Sequence, residues 1–257
     1  MPSHASRGRL AVISDLHGNL TALEAVLADI DERGIERIVN LGDVIGKGPQ
    51  GSECIKVSRE RCEATVRGNW DTFISDETIE LGTDTQWTRD QLTIDDLEWL
   101  AALPNTHELL ISGKRVRFFH ASQVSEFHRV RYSHTFEEFL GMFTNTEFTG
   151  GFLGGDQTPD VVGYGDIHGA YLQVDEGLTL FNAGSVGNHL DAPTAPYVVL
   201  HGVLDSPEPA PFSVDFVRVP YDIEAEIQTA RDLGMPDVDV YAVELRDGTY
   251  RGNQRRP

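Results

Sequence analysis

Short apolar runs alternate with helical patterns along the first seventy residues, and each apolar run ends in a polar cluster. Three of these runs predict buried strands: Arg9–Ser14, Glu36–Leu41 and Glu63–Val66. Two stretches between them predict helices: Leu20–Arg33 and Ser52–Glu60. Asn19 is the expected N-cap of the first helix and Gly34 its expected stop, because these residue types favour those positions. The chain therefore opens in the order β-α-β-α-β.

The rest of the chain is richer in short strands than in helices. Helices are predicted at Leu92–Leu103, Phe136–Phe143 and Ile223–Leu233. Strands are predicted at Thr106–Ile111, Val116–Phe119, Val161–Tyr164, Tyr171–Val174, Leu178–Phe181, Tyr197–Leu200 and Val214–Val219, with a hairpin turn at Ser112-Gly113-Lys114. Arg246–Pro257 is polar and predicts a frayed tail. This order fits a single α/β (α+β) domain over residues 1–257, a four-layer α/β/β/α sandwich of two facing mixed sheets with outer helices.

Charge and composition exclude some functions. Acidic residues outnumber basic ones by 41 to 21, and the net charge of −20 repels a phosphate backbone, so no large nucleic-acid surface is expected. No run approaches the roughly 18 apolar residues of a membrane span. Met1–Arg9 lacks the apolar core of a secretory signal. Cys54 and Cys62 make no disulfide framework, and we expect reduced thiols in a cytoplasmic protein whose oligomeric state cannot be predicted.

Polar side chains follow five of the predicted strands at the point where each strand ends. These residues are Asp15, His17, Asp43, Asn69, Asp71, His120, Asp166 and His168. Functional sites of α/β sheets collect beyond the carboxyl ends of the strands. Together, the carboxylates, imidazoles and amide suit borderline-hard divalent metals such as Mn²⁺, Fe²⁺ or Zn²⁺.

The spacing of these residues favours a shared metal site. In an extended chain Asp15 and His17 point to the same side, so both can bind one ion. Asp43 has two carboxylate oxygens and can bridge two ions. Two ions about 3.5–4 Å apart can hold a phosphate and lower the pKa of a shared water. Taken singly, each aspartate fits a turn or helix cap better than a metal ligand, so the prediction rests on the whole set.

Six motifs carry a family resemblance. DLHGN, LGDVIGKGP, RGNWD, FFHAS, GDIH and NAGSVGN occur between Leu10 and His189 in the order of the calcineurin-like metallophosphoesterases. The chain most resembles the small bacterial and archaeal phosphodiesterase branch of that superfamily. The resemblance implies a phosphodiesterase that acts on a small-molecule phosphate ester or a nucleotide. It also implies two divalent metal ions, with manganese (Mn²⁺) expected first and Fe, Zn²⁺ or Ni²⁺ as alternatives.

The resemblance also implies roles for individual residues. The first ion would be bound by Asp15, His17, Asp43 and His168. The second ion would be bound by Asp43, Asn69, His120 and Asp166. The implied catalytic residues are Asp43, Asn69 and Asp71. A hydroxide bridging the two ions would attack phosphorus in line, without a covalent enzyme intermediate.

Two positions depart from the family pattern. The family usually has histidine at the position of Asp166, where a carboxylate makes the site more anionic. The family often has histidine at the position of Trp70, where it is thought to protonate the leaving group. Tryptophan cannot supply that proton. Without a histidine to orient, the role of Asp71 stays open.

These departures leave three hypotheses. Beside the phosphodiesterase stands a regulatory module on the same fold that binds a nucleotide or phosphate without turnover. A third hypothesis keeps the enzyme and changes the substrate, to a phosphomonoester or a dinucleoside polyphosphate. Residues 71–87 and 127–160 are the predicted substrate-determining loops, and they contain no motif that decides between the hypotheses.

Overall fold

Two five-stranded sheets form the centre of the protein, whose computed structural model describes residues 8–254. The strands are β1 (Gly8–Ile13), β2 (Arg37–Asn40), β3 (Ala64–Thr65), β4 (His107–Ile111), β5 (Lys114–Phe118), β6 (Val161–Tyr164), β7 (Tyr171–Asp175), β8 (Leu178–Asn182), β9 (Ala195–Gly202) and β10 (Ser213–Val219). The α-helices are α1 (Leu20–Glu32), α2 (Gly51–Arg61), α3 (Asn69–Ser75), α4 (Thr83–Asp90), α5 (Ile94–Ala101), α6 (Phe136–Gly141), α7 (Ile223–Asp232) and α8 (Val238–Asp247). Short 3₁₀ helices lie at Phe152–Gly154 and Arg251–Asn253.

Both sheets are mixed, as predicted. The first has the order β10-β9-β1-β2-β3, in which β1, β2 and β3 are parallel and β9 runs against both β1 and β10. The second has the order β4-β5-β6-β8-β7, in which β5, β6 and β8 are parallel. Parallel neighbours need long crossovers, and α1 and α2 supply them between the first three strands. The carboxyl ends of these parallel strands carry the polar residues singled out from the sequence.

Alternating side chains of β1 show how the layers are arranged. Leu10 and Val12 belong to a buried cluster that also contains Phe118 and Phe181 of the second sheet. Ala11 and Ile13, the alternate residues, belong to a different cluster that contains the apolar face of α1. Because β1 is buried on both faces, its sequence is continuously apolar instead of alternating. The predicted arrangement of facing sheets with outer helices is confirmed.

Local turn chemistry also follows the sequence. Asn19 caps α1, because its side-chain oxygen accepts a hydrogen bond from the Ala22 amide at 2.9 Å. Gly34 adopts a positive φ of 64° just after the helix ends. The β4–β5 hairpin turns at Ser112 and Gly113, both with positive φ, as a two-residue loop of this twist requires.

Three helices were missed by the sequence prediction. Residues 71–87, predicted as a loop, contain most of α3 and α4. Helix α8 was missed because its valines favour strands, and it is stabilised by packing of Tyr241 and Leu245 against Ile227 of α7. The expectation of a frayed tail from Arg246 is also wrong for residues 246–254, because a 3₁₀ helix forms there and Arg251 binds Glu244 at 3.0 Å. Residues 1–7 and 255–257 lie outside the described part of the chain.

The predicted cytoplasmic location depends on reduced cysteines and on the absence of a membrane-spanning segment. Cys54 and Cys62 are both free thiols, and burial raises the pKa of each above its ordinary value. Between residues 8 and 254, no helix is long and apolar enough to cross a membrane. Cytoplasmic location stays a prediction.

Packing between the sheets predicts the effect of one added methyl group. A Cβ on Gly163 of β6 would lie 2.4 Å from Phe181 Cζ and 2.8 Å from Phe118 Cδ1. Gly163→Ala is expected to lower the free energy of unfolding by about 1–3 kcal/mol, because these rings must shift. Urea unfolding of metal-free protein measures the change.

Gly155→Ala is the matched control for this substitution. A Cβ there would lie 3.5 Å from the Phe152 carbonyl oxygen, an ordinary contact on an exposed loop. Its free energy of unfolding should stay within about 0.5 kcal/mol of the parent. Equal urea midpoints for Gly163→Ala and the parent would contradict the tight inter-sheet packing.

Candidate metal centre

Loops that follow β1, β2, β3, β5 and β6 bring the predicted site residues together. Hydrogen bonds between loops hold this arrangement: the Asp15 amide donates to Gly42 O and the His17 amide to Asp43 O, both at 2.9 Å. Gly68 allows a third loop to approach, since a Cβ there would lie 2.2 Å from Asp43 Oδ1. The carboxyl ends of two neighbouring strands therefore share one site, as expected for such sheets.

Backbone strain is concentrated at this site. Five predicted ligands have left-handed backbone conformations with φ between 49° and 64°: Asp15, His17, Asp43, Asp166 and His168. Outside glycine this conformation costs roughly 1–2 kcal/mol per residue. Strain of this kind persists where the surrounding structure determines it, and it gathers at functional sites. The surrounding loops hold these side chains in place at a cost in backbone energy.

The orientations of three histidines fix which ring nitrogen carries the proton. Nδ1 lies 3.3 Å from Ile45 O in His17, 2.8 Å from Leu41 O in His120 and 2.5 Å from Asn188 O in His168. A carbonyl oxygen only accepts, so each Nδ1 donates a proton to it. A ring that is neutral then presents the lone pair of Nε2 to the site, as metal-binding histidines do. Burial disfavours the charged ring of His120, but the facing carboxylates, Asp43 first, raise its pKa well above its ordinary value.

These lone pairs converge on a buried carboxylate. His17 Nε2 lies 3.1 Å from His168 Nε2, and His168 Nε2 lies 3.4 Å from Asp15 Oδ1. Asp15 Oδ1 is buried and has no hydrogen-bond partner among the described residues. Burial and nearby positive charge lower the pKa of His17 well below its ordinary value, which keeps the ring neutral. Three acceptors facing one another fit a bound cation.

A second group of donors lies beside the first. Asp15, Asp43 and His120 present ligand atoms within 4.8 Å of one another. Asp43 reaches both groups, because Oδ1 lies 3.4 Å from His120 Nε2 and Oδ2 lies 3.6 Å from His17 Nε2. Asn69 Oδ1 lies 3.0 Å from His120 Nε2. These oxygen and nitrogen donors suit Mn²⁺, Fe²⁺ or Zn²⁺, so the residues fit the implied metals.

Asp71 is a buried hydrogen-bond acceptor next to the candidate ligand Asp43. Its carboxylate accepts backbone hydrogen bonds from Asp43 at 2.9 Å, Val44 at 2.9 Å and Gly68 at 2.8 Å. Burial and the neighbouring Asp43 carboxylate raise the pKa of Asp71 to about 7. These contacts tie the loop after β2 to the start of α3. Its predicted catalytic role is untested, and its contacts are those of a positioning residue.

A cationic cleft of about 240 Å³ adjoins the candidate ligands Asp43 and His168. Its wall includes Lys47, Arg129, Arg131 and Arg251. These side chains concentrate positive charge in a chain whose net charge is −20. A cleft of one sign attracts ligands of the opposite sign, so this one favours an anion such as a phosphate.

Lys47 is a site residue that the sequence analysis missed. Its Nζ donates to Asn188 Oδ1 at 3.0 Å and lies 3.4 Å from His168 Nε2. Burial lowers the pKa of Lys47 to about 8. One signal was present, since Lys47 lies between two glycines in a site motif and the chain has only three lysines. Arg129 had no such signal, because it lies in an irregular loop.

Comparison with known proteins identifies the family. The calcineurin-like phosphoesterase superfamily domain matches residues 9–203. The chain belongs to this superfamily. An uncharacterised protein of Methanocaldococcus jannaschii is 32% identical over 231 residues, which cover 85% of this chain and 90% of that protein.

Solved structures of the superfamily and its fold agree with this assignment. A metallophosphoesterase from Sphaerobacter thermophilus is 25% identical with a TM-score of 0.71, covering 94% of this chain and 99% of its own. A hypothetical protein from Pyrococcus horikoshii is 18% identical with a TM-score of 0.72 and the same coverage, and that likeness concerns the fold alone. The predicted family and fold class are confirmed. Membership supports a phosphoester hydrolase that uses divalent metals.

One departure from the superfamily pattern changes the second group of donors. Asp166, at the position where the family usually has histidine, belongs to neither donor group of the described residues. Its carboxylate accepts from Arg129 Nε at 2.7 Å and from Arg129 Nη2 at 2.6 Å. Its amide donates to Asp15 Oδ2 at 3.1 Å, which places Asp166 at the edge of the site. The predicted role of Asp166 as a ligand is untested.

The other departure from the superfamily pattern gives the cleft an aromatic wall. The Trp70 amide donates to Asp43 Oδ1 at 2.8 Å, which orients that ligand. Its indole lies over Gly46, where a Cβ would be 2.2 Å from Trp70 Cε3. The ring meets His17 edge-on, with centroids 5.9 Å apart. At the position where the family often has a proton-donating histidine, this chain therefore has an indole that packs against Gly46 and His17.

The contacts of Asp71 predict a loss of stability on substitution. Asp71→Asn should lower the free energy of unfolding of metal-free protein by about 2–4 kcal/mol, because an amide cannot accept all three backbone hydrogen bonds. Asp239→Asn, on an exposed position of α8, should change it by less than about 0.5 kcal/mol. Thermal or urea unfolding provides the measurement. Unchanged stability with lost hydrolysis would instead support a catalytic role for Asp71.

Proposed function

We propose that this protein is a metal-dependent phosphodiesterase that cleaves small phosphate diesters or nucleotides with two divalent ions, Mn²⁺ first among them. The ions would be bound by Asp15, His17, Asp43, Asn69, His120 and His168. One observation carries the proposal: three histidines, each held by a backbone carbonyl at Nδ1, direct Nε2 at the buried carboxylates of Asp15 and Asp43. Free thiols at both cysteines support a reducing compartment, the cytoplasm.

The mechanism follows from what the side chains hold in place. Two divalent ions, if bound there, would activate a water for attack on phosphorus and would neutralise charge on the phosphoryl oxygens. Asp43 lies within reach of both donor groups, so its carboxylate would bind an ion in either. Lys47 adds a positive charge beside His168, where a phosphoryl oxygen can accept its hydrogen bond. No side chain is required as the nucleophile.

Resemblance to the phosphodiesterase branch ranks a diester before a monoester, and the cleft has room for a diester. A diester has two substituents, and the cleft beside the ligands is large enough for the one that stays bound. Trp70 and Tyr250 contribute aromatic surface to its wall. Because Trp70 cannot protonate a leaving group, esters whose leaving groups have a low pKa should be cleaved best.

The regulatory hypothesis keeps one supporting observation. Trp70 fills the place of the family's proton donor, and a protein that only binds phosphate has no use for such a donor. Metal binding and phosphate binding would then persist without turnover. The same hydrolysis experiment separates this hypothesis from the enzyme.

Removal of a ligand tests the proposed function directly. Chelator-stripped protein should hydrolyse bis(p-nitrophenyl) phosphate only after Mn²⁺ is added back. Asp43→Asn and His17→Ala should abolish that hydrolysis, because Asp43 reaches both donor groups and His17 belongs to the first. Release of p-nitrophenol measures the rate, and p-nitrophenyl phosphate provides the monoester comparison.

Asp215→Asn and His201→Ala are matched controls. These residues form an exposed ion pair at 2.8 Å between β9 and β10, and both variants should retain the parent rate. Full Mn²⁺-dependent turnover by Asp43→Asn would refute the metal mechanism. Protein that binds Mn²⁺ yet cleaves neither ester would favour the regulatory hypothesis.

Substitution of Trp70 tests the missing proton donor. Trp70→His should raise hydrolysis of a diester with an alkyl leaving group by about tenfold or more, since general acids typically contribute 10²–10⁴-fold. Hydrolysis with p-nitrophenol as leaving group should change much less, because that group needs no proton. Rates for the two leaving groups are compared within one variant. An equal change for both would indicate that Trp70 acts by packing alone.

A further inference from the structure

Asp166 and Arg129 form a fork at the edge of the donor groups. Both carboxylate oxygens are used, one by Nε at 2.7 Å and the other by Nη2 at 2.6 Å. The Asp166 side chain is only 4% exposed, whereas that of Arg129 is 44% exposed. A bidentate pair of this kind fixes the plane of the guanidinium as well as its charge. The buried partner therefore orients the exposed one.

This pairing changes what Asp166 offers to a metal. The guanidinium neutralises the carboxylate and directs both of its oxygens toward Arg129. In contrast, Asp15 Oδ1 is buried with no hydrogen-bond partner among residues 8–254. Asp15 and Asp43 also share a donor group with His120, from which Asp166 is absent. Asp15 and Asp43 are thus the carboxylates arranged for an ion.

Arg129 keeps donors for a ligand after pairing with Asp166. A guanidinium has five N–H bonds, of which the fork uses two, one on Nε and one on Nη2. Nη1 has no hydrogen-bond partner among the described residues. Arg129 lines the 240 Å³ cleft together with the ligands Asp43 and His168. The remaining donors are therefore available to an anion in the cleft, where a phosphate ester must lie.

We propose that Arg129 is a phosphate-binding residue of this enzyme and that Asp166 is its positioning residue rather than a metal ligand. Arginine is always charged and its planar donors match phosphate oxygens, so an oriented guanidinium binds phosphate well. The inference rests on the proposed function for the location of the phosphate. It assigns the departure at Asp166 a role in substrate binding.

Phosphate affinity and metal content together test this assignment. Inorganic phosphate is titrated calorimetrically into the Mn²⁺-loaded full-length protein, and bound Mn²⁺ per chain is measured by elemental analysis. Arg129→Gln should weaken phosphate binding by about tenfold or more, the loss expected for charge-assisted hydrogen bonds. Arg129→Lys should restore only part of the affinity, because lysine keeps the charge without the fork. Asp166→Asn should also weaken phosphate binding, with the same Mn²⁺ content as the parent.

Arg246 and Glu224 provide a matched control pair. Arg246 donates to Glu224 through Nε at 2.6 Å and Nη2 at 2.5 Å, and its side chain is 42% exposed, so its fork resembles that of Arg129. Arg246→Gln should leave both phosphate affinity and Mn²⁺ content unchanged. Unchanged phosphate affinity in Arg129→Gln would overturn the proposal, and so would the loss of an ion in Asp166→Asn. Neither readout needs turnover. If these binding results are obtained but no ester is hydrolysed, the proposed function is rejected and the role of Arg129 in phosphate binding stands.

Discussion

Buried carboxylates and imidazole nitrogens face one another where the parallel strands of the two facing sheets end. Such a cluster is repulsive by itself, because Asp15, His17 and His168 present acceptors at distances where a proton or a cation is needed. The surrounding structure holds the cluster together through backbone hydrogen bonds between loops and through left-handed residues. The facing sheets make the cluster possible, because their parallel strands bring five loops to one place.

Groups that do not face the site themselves hold the candidate ligands in position. Each histidine is oriented by a backbone carbonyl, so small shifts in a loop would turn its Nε2 away from the site. Asp71 secures two loops at once by accepting three backbone hydrogen bonds. Asn188 joins His168 to the C-terminal part of the chain, because its amide also donates to Glu244 at 3.3 Å. The tail beyond the family match therefore contributes to the site.

Charge is distributed unevenly over this acidic protein. Its surface repels extended polyanions, while the cleft gathers four cations beside the proposed ions. Two of these cations have buried acidic partners: Arg129 pairs with Asp166 and Arg251 with Glu244. Such partners fix a guanidinium in position without removing its remaining donors. The arrangement favours a small phosphate ester that enters the cleft over a long nucleic acid.

The sequence by itself determined the strands, most helices, the family and the residues of the two donor groups. These features are local: a buried strand is apolar, Asn19 caps a helix, and each candidate ligand follows a strand closely. Tertiary structure alone decided the rest. Helix α8 depends on packing against α7, and the fork joins Arg129 to Asp166 across 37 positions of the chain. Contacts between distant segments leave no periodic or local pattern in the sequence. The roles of Lys47, Arg129 and the folded tail could therefore be identified only from the tertiary structure.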